Sequence, residues 1–343
     1  MKAACYGRHG GPDVIRYEDV PDPVIGPADV IVRVAACGVN RLDVIQRAGH
    51  YTLPGFQLPH IAGTDVAGAV VKRGAQTEGI SIGDRVVINP SLTKVHGNSR
   101  FTGMDDIYGV LGVIGATVDG GYAELCAAPA SHVHVIPAGF SYEEAACIPT
   151  CYATAWHALV ETGQLTAGEV VLINGAGGGI SSAGIQLAKR LGATVLATAR
   201  TEKKIAHATR IGADHVLNNQ KADIVKWALE LTGGRGVDMV FDHVGPALWQ
   251  ASLGTLRPRG RLVTCGATTG PEVPLGLGQL HRMGIRIMGS DSYQHDEFQR
   301  MLAFYWQGGF LKIVDSEFPL SGAGDAQRKM ESEDVTGKIL LRP

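Results

Sequence analysis

The run Val170-Val171-Leu172-Ile173-Asn174-Gly175-Ala176-Gly177-Gly178-Gly179-Ile180-Ser181-Ser182 constrains this chain more than any other. Four apolar residues bounded by a glycine-rich turn read as a buried parallel strand. Small or apolar residues then recur at Ile180, Ala183, Gly184, Leu187, Ala188 and Leu191, the 3.6-residue period of a helix. Gly192 stands where a helix C-terminal cap belongs. Thr194 to Ala199 reads as a second apolar strand. Strand, turn, helix and strand in this register form the first β-α-β unit of a dinucleotide-binding fold. The glycines let backbone amides approach a pyrophosphate, and the helix N-terminus offers it partial positive charge. The expected cofactor cradle is therefore Ala176, Gly178, Gly179, Ile180 and Ser181. Ala176 and Ser181 replace the first and third glycines of the strict pattern. Serine at the third position is expected to permit close helix–strand packing and to offer a hydroxyl to a phosphate oxygen.

The end of the second strand selects the dinucleotide. NAD binding normally uses an acid there to hold the ribose 2′-hydroxyl. This chain reads Ala199-Arg200-Thr201-Glu202-Lys203-Lys204 instead. Arg200 lies about 22 residues beyond Gly178, against roughly 20 for the ribose-binding position. A guanidinium matches a phosphate by its planar fork, and Lys204 adds a point charge. NADP(H) is therefore expected over NAD. Glu202 counts against this if it pairs with either cation.

Length and composition set the frame. At 343 residues, the chain suggests two domains. It is 45% hydrophobic, holds 46 glycines and carries a net charge of −2. No basic excess points to nucleic acid or an anionic membrane surface, and no apolar run has membrane-spanning length. Six scattered cysteines without a C-x-x-C pair read as buried free thiols of a reducing cytoplasm.

The first 130 or so residues read as β-rich, with strands at Asp29–Ala35, within Gly63–Arg73 and at Gly83–Ile88. A polar loop without periodicity spans residues 89–120. Ser141 followed by Glu144 marks a capping-box helix start. Strands at His215–Leu217, Val237–Asp242, Arg261–Cys265 and Ile285–Met288, alternating with helices, continue a doubly wound parallel sheet. The terminal run Gly337 to Leu341 reads as a strand returning to the first domain.

Several further segments carry a family resemblance. They are Cys37-Gly38-Val39-Asn40-Arg41-Leu42-Asp43, Ala62 to Gly68, Gly83-Asp84-Arg85-Val86, Gly120-Gly121-Tyr122-Ala123-Glu124, Thr232 to Asp238, and Gly337-Lys338-Ile339. In this order they resemble the medium-chain dehydrogenase/reductase superfamily over essentially the whole chain. The resemblance implies an α/β protein with a GroES-like β-rich catalytic domain (residues 1–130 and 294–343) and a doubly wound Rossmann domain (residues 131–293). Where zinc relatives carry metal ligands, this chain has Asn40, Thr64 and, near the third, Thr150, with Asp65 alongside. Ser99, Thr102 and Tyr108 stand at cysteine-like positions of the loop that holds structural zinc in many relatives. These departures resemble the zinc-free quinone oxidoreductase-like branch, so no metal is expected. His50, His60, His96, His132 and His134 are the other candidate ligands; the His132/His134 pair reads as an ordinary strand pair lacking a third ligand.

Without a Lewis acid, hydride transfer needs a substrate that is already electrophilic. A quinone, or an alkene conjugated to a carbonyl or thioester, qualifies. Asn40, Tyr51 and Thr64 are the expected catalytic residues. Tyr51 matches a tyrosine of related quinone and enoyl reductases that is thought to assist protonation. Asp43 reads as a structural carboxylate. Thr154 lies in a helix that approaches the nicotinamide in relatives, and Asn219, Val244, Gly266 and Lys338 complete the expected cofactor contacts. A pathway-specific enoyl-thioester or enone reductase and a non-catalytic NADPH-binding protein are the alternatives. A homodimer is expected, by strand pairing at Ile285–Met288 as in relatives.

Overall fold

The computed structural model describes residues 1–104 and 112–343. They form two compact units. One comprises Met1–Thr150, Gln294–Gly308 and Lys312–Pro343; the other comprises Cys151–Tyr293 and Gly309–Leu311. The first unit extends past residue 130 because Val133–Val135 pairs with Arg85–Ile88, antiparallel.

The first unit is built on the long strand Asp29–Val39. Its valines and alanines are almost all buried, so it serves as the centre of a sheet rather than an edge. Asp65–Arg73 flanks it on one side, and the C-terminal strand Lys338–Arg342 on the other. Both pair antiparallel with it. The register sets Ile339 opposite Val39 and Asp65 opposite Gly38. Lys338 thus arrives beside Asn40, and the three neighbouring strands bring residues 40, 65 and 338 together. A smaller sheet orders Arg16–Asp19, Lys2–Tyr6 and His60–Ile61.

The second unit is a six-stranded parallel sheet. Its order is His215–Asn218, Thr194–Ala199, Val170–Ile173, Val237–Asp242, Leu256–Thr264, Arg286–Gly289. This is the doubly wound arrangement, and the strand order reverses between Val170–Ile173 and Val237–Asp242. Ligands bind outside the carboxyl ends of strands at such a reversal. The helix Gly179–Arg190 packs close to the sheet, since a Cβ on Gly184 would stand 2.9 Å from the Phe241 ring. The Ser141 capping box forms, but its helix covers only Tyr142–Ala145 before a second begins at Pro149. No helix among the described residues is long and apolar enough to cross a membrane.

Charges tie the amino ends of the same sheet. Asp238 accepts two hydrogen bonds from Arg235, at 2.8 and 2.9 Å, one from Arg257 and one from the Val170 N–H at 2.8 Å. Burial opposes ionisation of Asp238, but these donors hold its carboxyl well below the usual range. A carboxyl depressed in the folded state adds stability above its unfolded pKa, which is lost as pH falls towards the folded value. Asp238→Asn is therefore expected to cost about 2 kcal/mol at neutral pH, the scale of a charge-assisted bond. It should also flatten the loss of stability on acidification below about pH 4; urea unfolding of both proteins across pH checks this.

Candidate active site

In the first unit a buried polar cluster gathers around Asn40. Its Nδ2 donates to Thr64 Oγ1 at 2.7 Å and to Asp65 Oδ2 at 3.0 Å, and lies 3.4 Å from Thr150 Oγ1. Thr64 and Thr150 hydroxyls stand 3.1 Å apart. Asp65 Oδ1 accepts the Thr150 N–H at 2.8 Å and its hydroxyl at 2.5 Å. Lys338 Nζ donates to Asn40 Oδ1 and pairs with Asp65. Lys338 is 1% exposed and Asp65 fully buried. The lysine reaches Asp65 only because residue 38 between them is glycine. A Cβ there would lie 2.5 Å from Lys338 Cε and 2.7 Å from the Ala146 carbonyl oxygen.

These donors do not suit zinc, which takes thiolate, imidazole or carboxylate. The threonine hydroxyls are neutral, and the one oxygen of Asn40 that can ligate a cation already accepts from an ammonium. Among the described residues, no three His, Cys, Asp or Glu side chains are arranged to hold a metal. In the loop of residues 89–120, Ser99 Oγ donates to Asp29 and Thr102 Oγ1 to the Gly97 carbonyl at 3.0 Å; Tyr108 lies outside the described residues. His132 and His134 do have a histidine neighbour that sequence reasoning missed. Both rings lie against His295, at centroid distances of 4.5 and 5.8 Å. The nitrogens of His132 are taken by the Thr93 carbonyl and Ser131 Oγ, and burial pushes its ring down to about 3.

Below the cluster, Asp43 caps the helix Arg41–Ala48. Its Oδ2 accepts the Asn40 N–H at 2.8 Å and the Tyr122 hydroxyl at 2.9 Å, while Oδ1 is buried without a partner. Burial pushes this carboxyl up to about 7. Tyr51 is 52% exposed beyond that helix, and no hydrogen bond ties it to Asn40 or Thr64.

In the second unit, the expected cofactor residues collect at the carboxyl ends of the parallel strands. Gly178 caps the helix Gly179–Arg190, and nothing but Ser181 Oγ, at 3.9 Å, comes near a Cβ built on it. Gly177 has φ +141°, and a Cβ there would strike the Lys204 side chain at 2.8 Å, so Lys204 lies across the turn. Arg200 is exposed just past Ala199. Glu202 engages Lys221 at 2.9 Å and Asn218 at 3.3 Å. Ile180 opens the helix partly buried, and Thr154 is partly buried in the helix Pro149–Trp156. Asn219 directly follows the strand His215–Asn218, and Val244 and Gly266 come just after His243 and Cys265, the residues that follow Val237–Asp242 and Leu256–Thr264.

One expectation needs correction. The Ser181 hydroxyl does not point outward: it is fully buried and lies 3.0 and 3.1 Å from the Gly175 and Gly178 carbonyls, to which it donates. It braces the turn. Lys338 lies in the Asn40 cluster of the first unit. Two polar atoms here are buried without partners, Asn219 Oδ1 and His243 Nε2. Unpaired buried atoms beside an open glycine turn fit a polar dinucleotide. His243 was not foreseen, because a histidine one residue past a strand carries no periodic signal.

Two families of known proteins match the chain. Residues 26–138 match the alcohol dehydrogenase GroES-like domain, and residues 179–307 the zinc-binding dehydrogenase family. A quinone oxidoreductase of Pseudomonas aeruginosa is 29% identical over 100% of this chain and 99% of its own length. An alcohol dehydrogenase of Geobacillus stearothermophilus is 31% identical, again over 100% and 99%. The solved structure of an NAD-dependent alcohol dehydrogenase superposes with TM-score 0.93 at 35% identity, covering 100% of both chains. A mycobacterial protein complexed with NADPH does so with TM-score 0.83 at 29% identity, also over 100% of both.

Asp43 makes the stability of this region pH-dependent. Its carboxyl is raised in the folded state, so stability should fall as pH climbs from about 4, the unfolded carboxyl value, towards 7. Asp43→Asn is expected to remove that slope. Thermal unfolding of both proteins between pH 4 and 8 measures it.

Proposed function

Because this chain belongs to the medium-chain dehydrogenase/reductase superfamily, in its quinone oxidoreductase-like branch, we propose that it is an NADPH-dependent, zinc-independent reductase of quinones or conjugated carbonyl compounds. Oxidoreductase chemistry with a nicotinamide cofactor follows from the family. The observation that carries the finer proposal is the Asn40 cluster, where an ammonium and two hydroxyls stand in place of metal ligands. Such a site cannot supply a Lewis acid to an alcohol or an isolated carbonyl. It can serve an acceptor that is already polarised and needs only positioning and a hydrogen-bond donor near its oxygen.

When bound, the nicotinamide supplies the hydride. Gly178 and Gly179 would approach its pyrophosphate, with Lys204 alongside. Arg200 would hold the 2′-phosphate, and Asn219, Val244, Gly266 and Thr154 would line the remainder. Glu202 Oε1 accepts from Lys221 and Asn218. On the first unit both Asn40 amide hydrogens are committed to Thr64 and Asp65. The Thr64 hydroxyl is therefore the donor proposed for the developing oxyanion, and Asn40 orients it. The exposed Tyr51 phenol is proposed to deliver the proton. A homodimer joined at the open edge strand Arg286–Gly289 and a cytoplasmic setting belong with this proposal; the free, mostly buried thiols suit the latter.

Two experiments test it. After dialysis against a chelator, the protein with NADPH should still reduce members of a panel of para-quinones and enones, while oxidising primary alcohols poorly with NADP+. Activity restored only by zinc, or confined to alcohols, would reject the proposal. Separately, Arg200→Ala should weaken NADPH binding by about 10- to 100-fold, one charge-assisted contact, and spare NADH. Fluorescence titration with both nucleotides reads this, and equal losses would count against NADP preference.

A further inference from the structure

Lys338 has a different relation to Asn40 from every other member of the cluster. An ammonium only donates, so the atom of the Asn40 amide that faces it must be Oδ1. That contact orients the amide together with the bond from Nδ2 to Asp65 Oδ2 at 3.0 Å. Nδ2 then points at Thr64 Oγ1, 2.7 Å away, and makes that oxygen an acceptor. The Thr64 proton then has only longer internal acceptors than the 2.7 Å contact with Asn40: the neutral Thr150 Oγ1 at 3.1 Å, whose own proton goes to Asp65, and Asp65 Oδ1 at 3.5 Å. The neutral Thr150 contact is the one a substrate oxyanion would displace. With the amide turned over, Thr64 would instead donate to Asn40 Oδ1, and its proton would be consumed inside the cluster.

We infer that Lys338 is a positioning residue for the reduction: by fixing the Asn40 amide it keeps the Thr64 hydroxyl proton available to a substrate oxygen, and its buried charge strengthens that donor through the chain Lys338–Asn40–Thr64. Three features built into the fold support this. Gly38 leaves the path that the lysine crosses. The antiparallel register of the C-terminal strand sets residue 338 beside residue 40. Asp65, fully buried, holds the ammonium and anchors Thr150 with its other oxygen. Hydrogen bonds in series polarise one another, so a cation at the head of the chain raises the donor strength at its end. The positive charge that relatives obtain from zinc is then replaced by a side chain that does not touch the substrate.

This inference rests on the reductase function proposed above, and its test separates the two. Lys338→Met and Lys338→Arg would be assayed with NADPH and 1,4-benzoquinone. For Lys338→Met, kcat is expected to fall about 30- to 100-fold, the loss of one charge-assisted interaction. The benzoquinone KM and the NADPH dissociation constant should change little. Lys338→Arg should recover part of kcat. An unchanged kcat would overturn the inference, and so would a loss of NADPH affinity that matches the loss of kcat. A second readout needs no turnover: absorbance titration of the NADP+ complex with 4-nitrophenolate, an oxyanion, and fluorescence titration with neutral nitrobenzene. Lys338→Met should weaken the phenolate about tenfold and leave nitrobenzene unchanged, again one charge-assisted contact or less. Equal effects on both ligands, or none, would overturn the inference. If the single variant unfolds, Lys338→Met with Asp65→Asn leaves no unpaired charge, and the same outcomes apply. A wild type that reduces no quinone or enone yet shows the phenolate difference would sink the proposed function and not this role for Lys338.

Discussion

The buried ion pair between Lys338 and Asp65 governs the first unit. It joins the last strand of the chain to the strand Asp65–Arg73 across Gly38 of the central strand. Desolvating two charges is expensive, and their attraction offsets that cost only when the remaining polar atoms are satisfied. Here Asp65 also accepts from Asn40 and Thr150, and Lys338 also donates to Asn40. The pair therefore draws its neighbours into one arrangement. Hydrophobic residues of similar volume often replace a buried ion pair without loss of stability, but they would not orient an amide. Orientation is the functional use of this pair.

The second unit divides its polar chemistry between the two ends of one sheet. At the amino ends, Asp238 and Glu169 are matched by Arg235, Arg257 and Arg261, and that network is saturated. At the carboxyl ends, Asn174 donates to Asp242 and Ser252 and accepts from Thr198, fixing the strand ends below the turn. Above this layer, Asn219 Oδ1 and His243 Nε2 remain without partners. A saturated network stabilises, whereas buried orphan atoms are tolerated where a ligand can complete them. The contrast between the two ends is the physical signature of a binding face.

A zinc ion concentrates charge at one point and polarises whatever oxygen reaches it. An ammonium relayed through an amide and a hydroxyl delivers less charge at the same oxygen. It also leaves a hydrogen bond where the metal would form a coordinate bond. On the function proposed above, that difference restricts the chemistry to acceptors that are already electron-poor.

The glycine-rich turn, its flanking strands and the cations beyond Ala199 were legible in the sequence, because backbone conformation and helical period are short-range properties. Asn40, Thr64 and Thr150 could be singled out by their place in a familiar order of segments. Their hydrogen bonds could not, since each depends on strand register and on side chains distant in sequence. Lys338 shows the difference most clearly: beside Ile339 it reads as part of a closing strand, and only pairing across 298 positions sets its ammonium against Asn40. Spacing alone reads Ser181 as a phosphate donor, yet the curl of the turn aims its hydroxyl at two carbonyls. His295 met His132 through packing of a helix whose sequence carries no hint of it. Local sequence determined that a glycine-rich turn between strand and helix would form and that asparagine and threonine stand at positions 40, 64 and 150. Tertiary structure decided which partners those side chains meet, because a buried polar group takes its role from the partners that folding brings within about 3 Å of it.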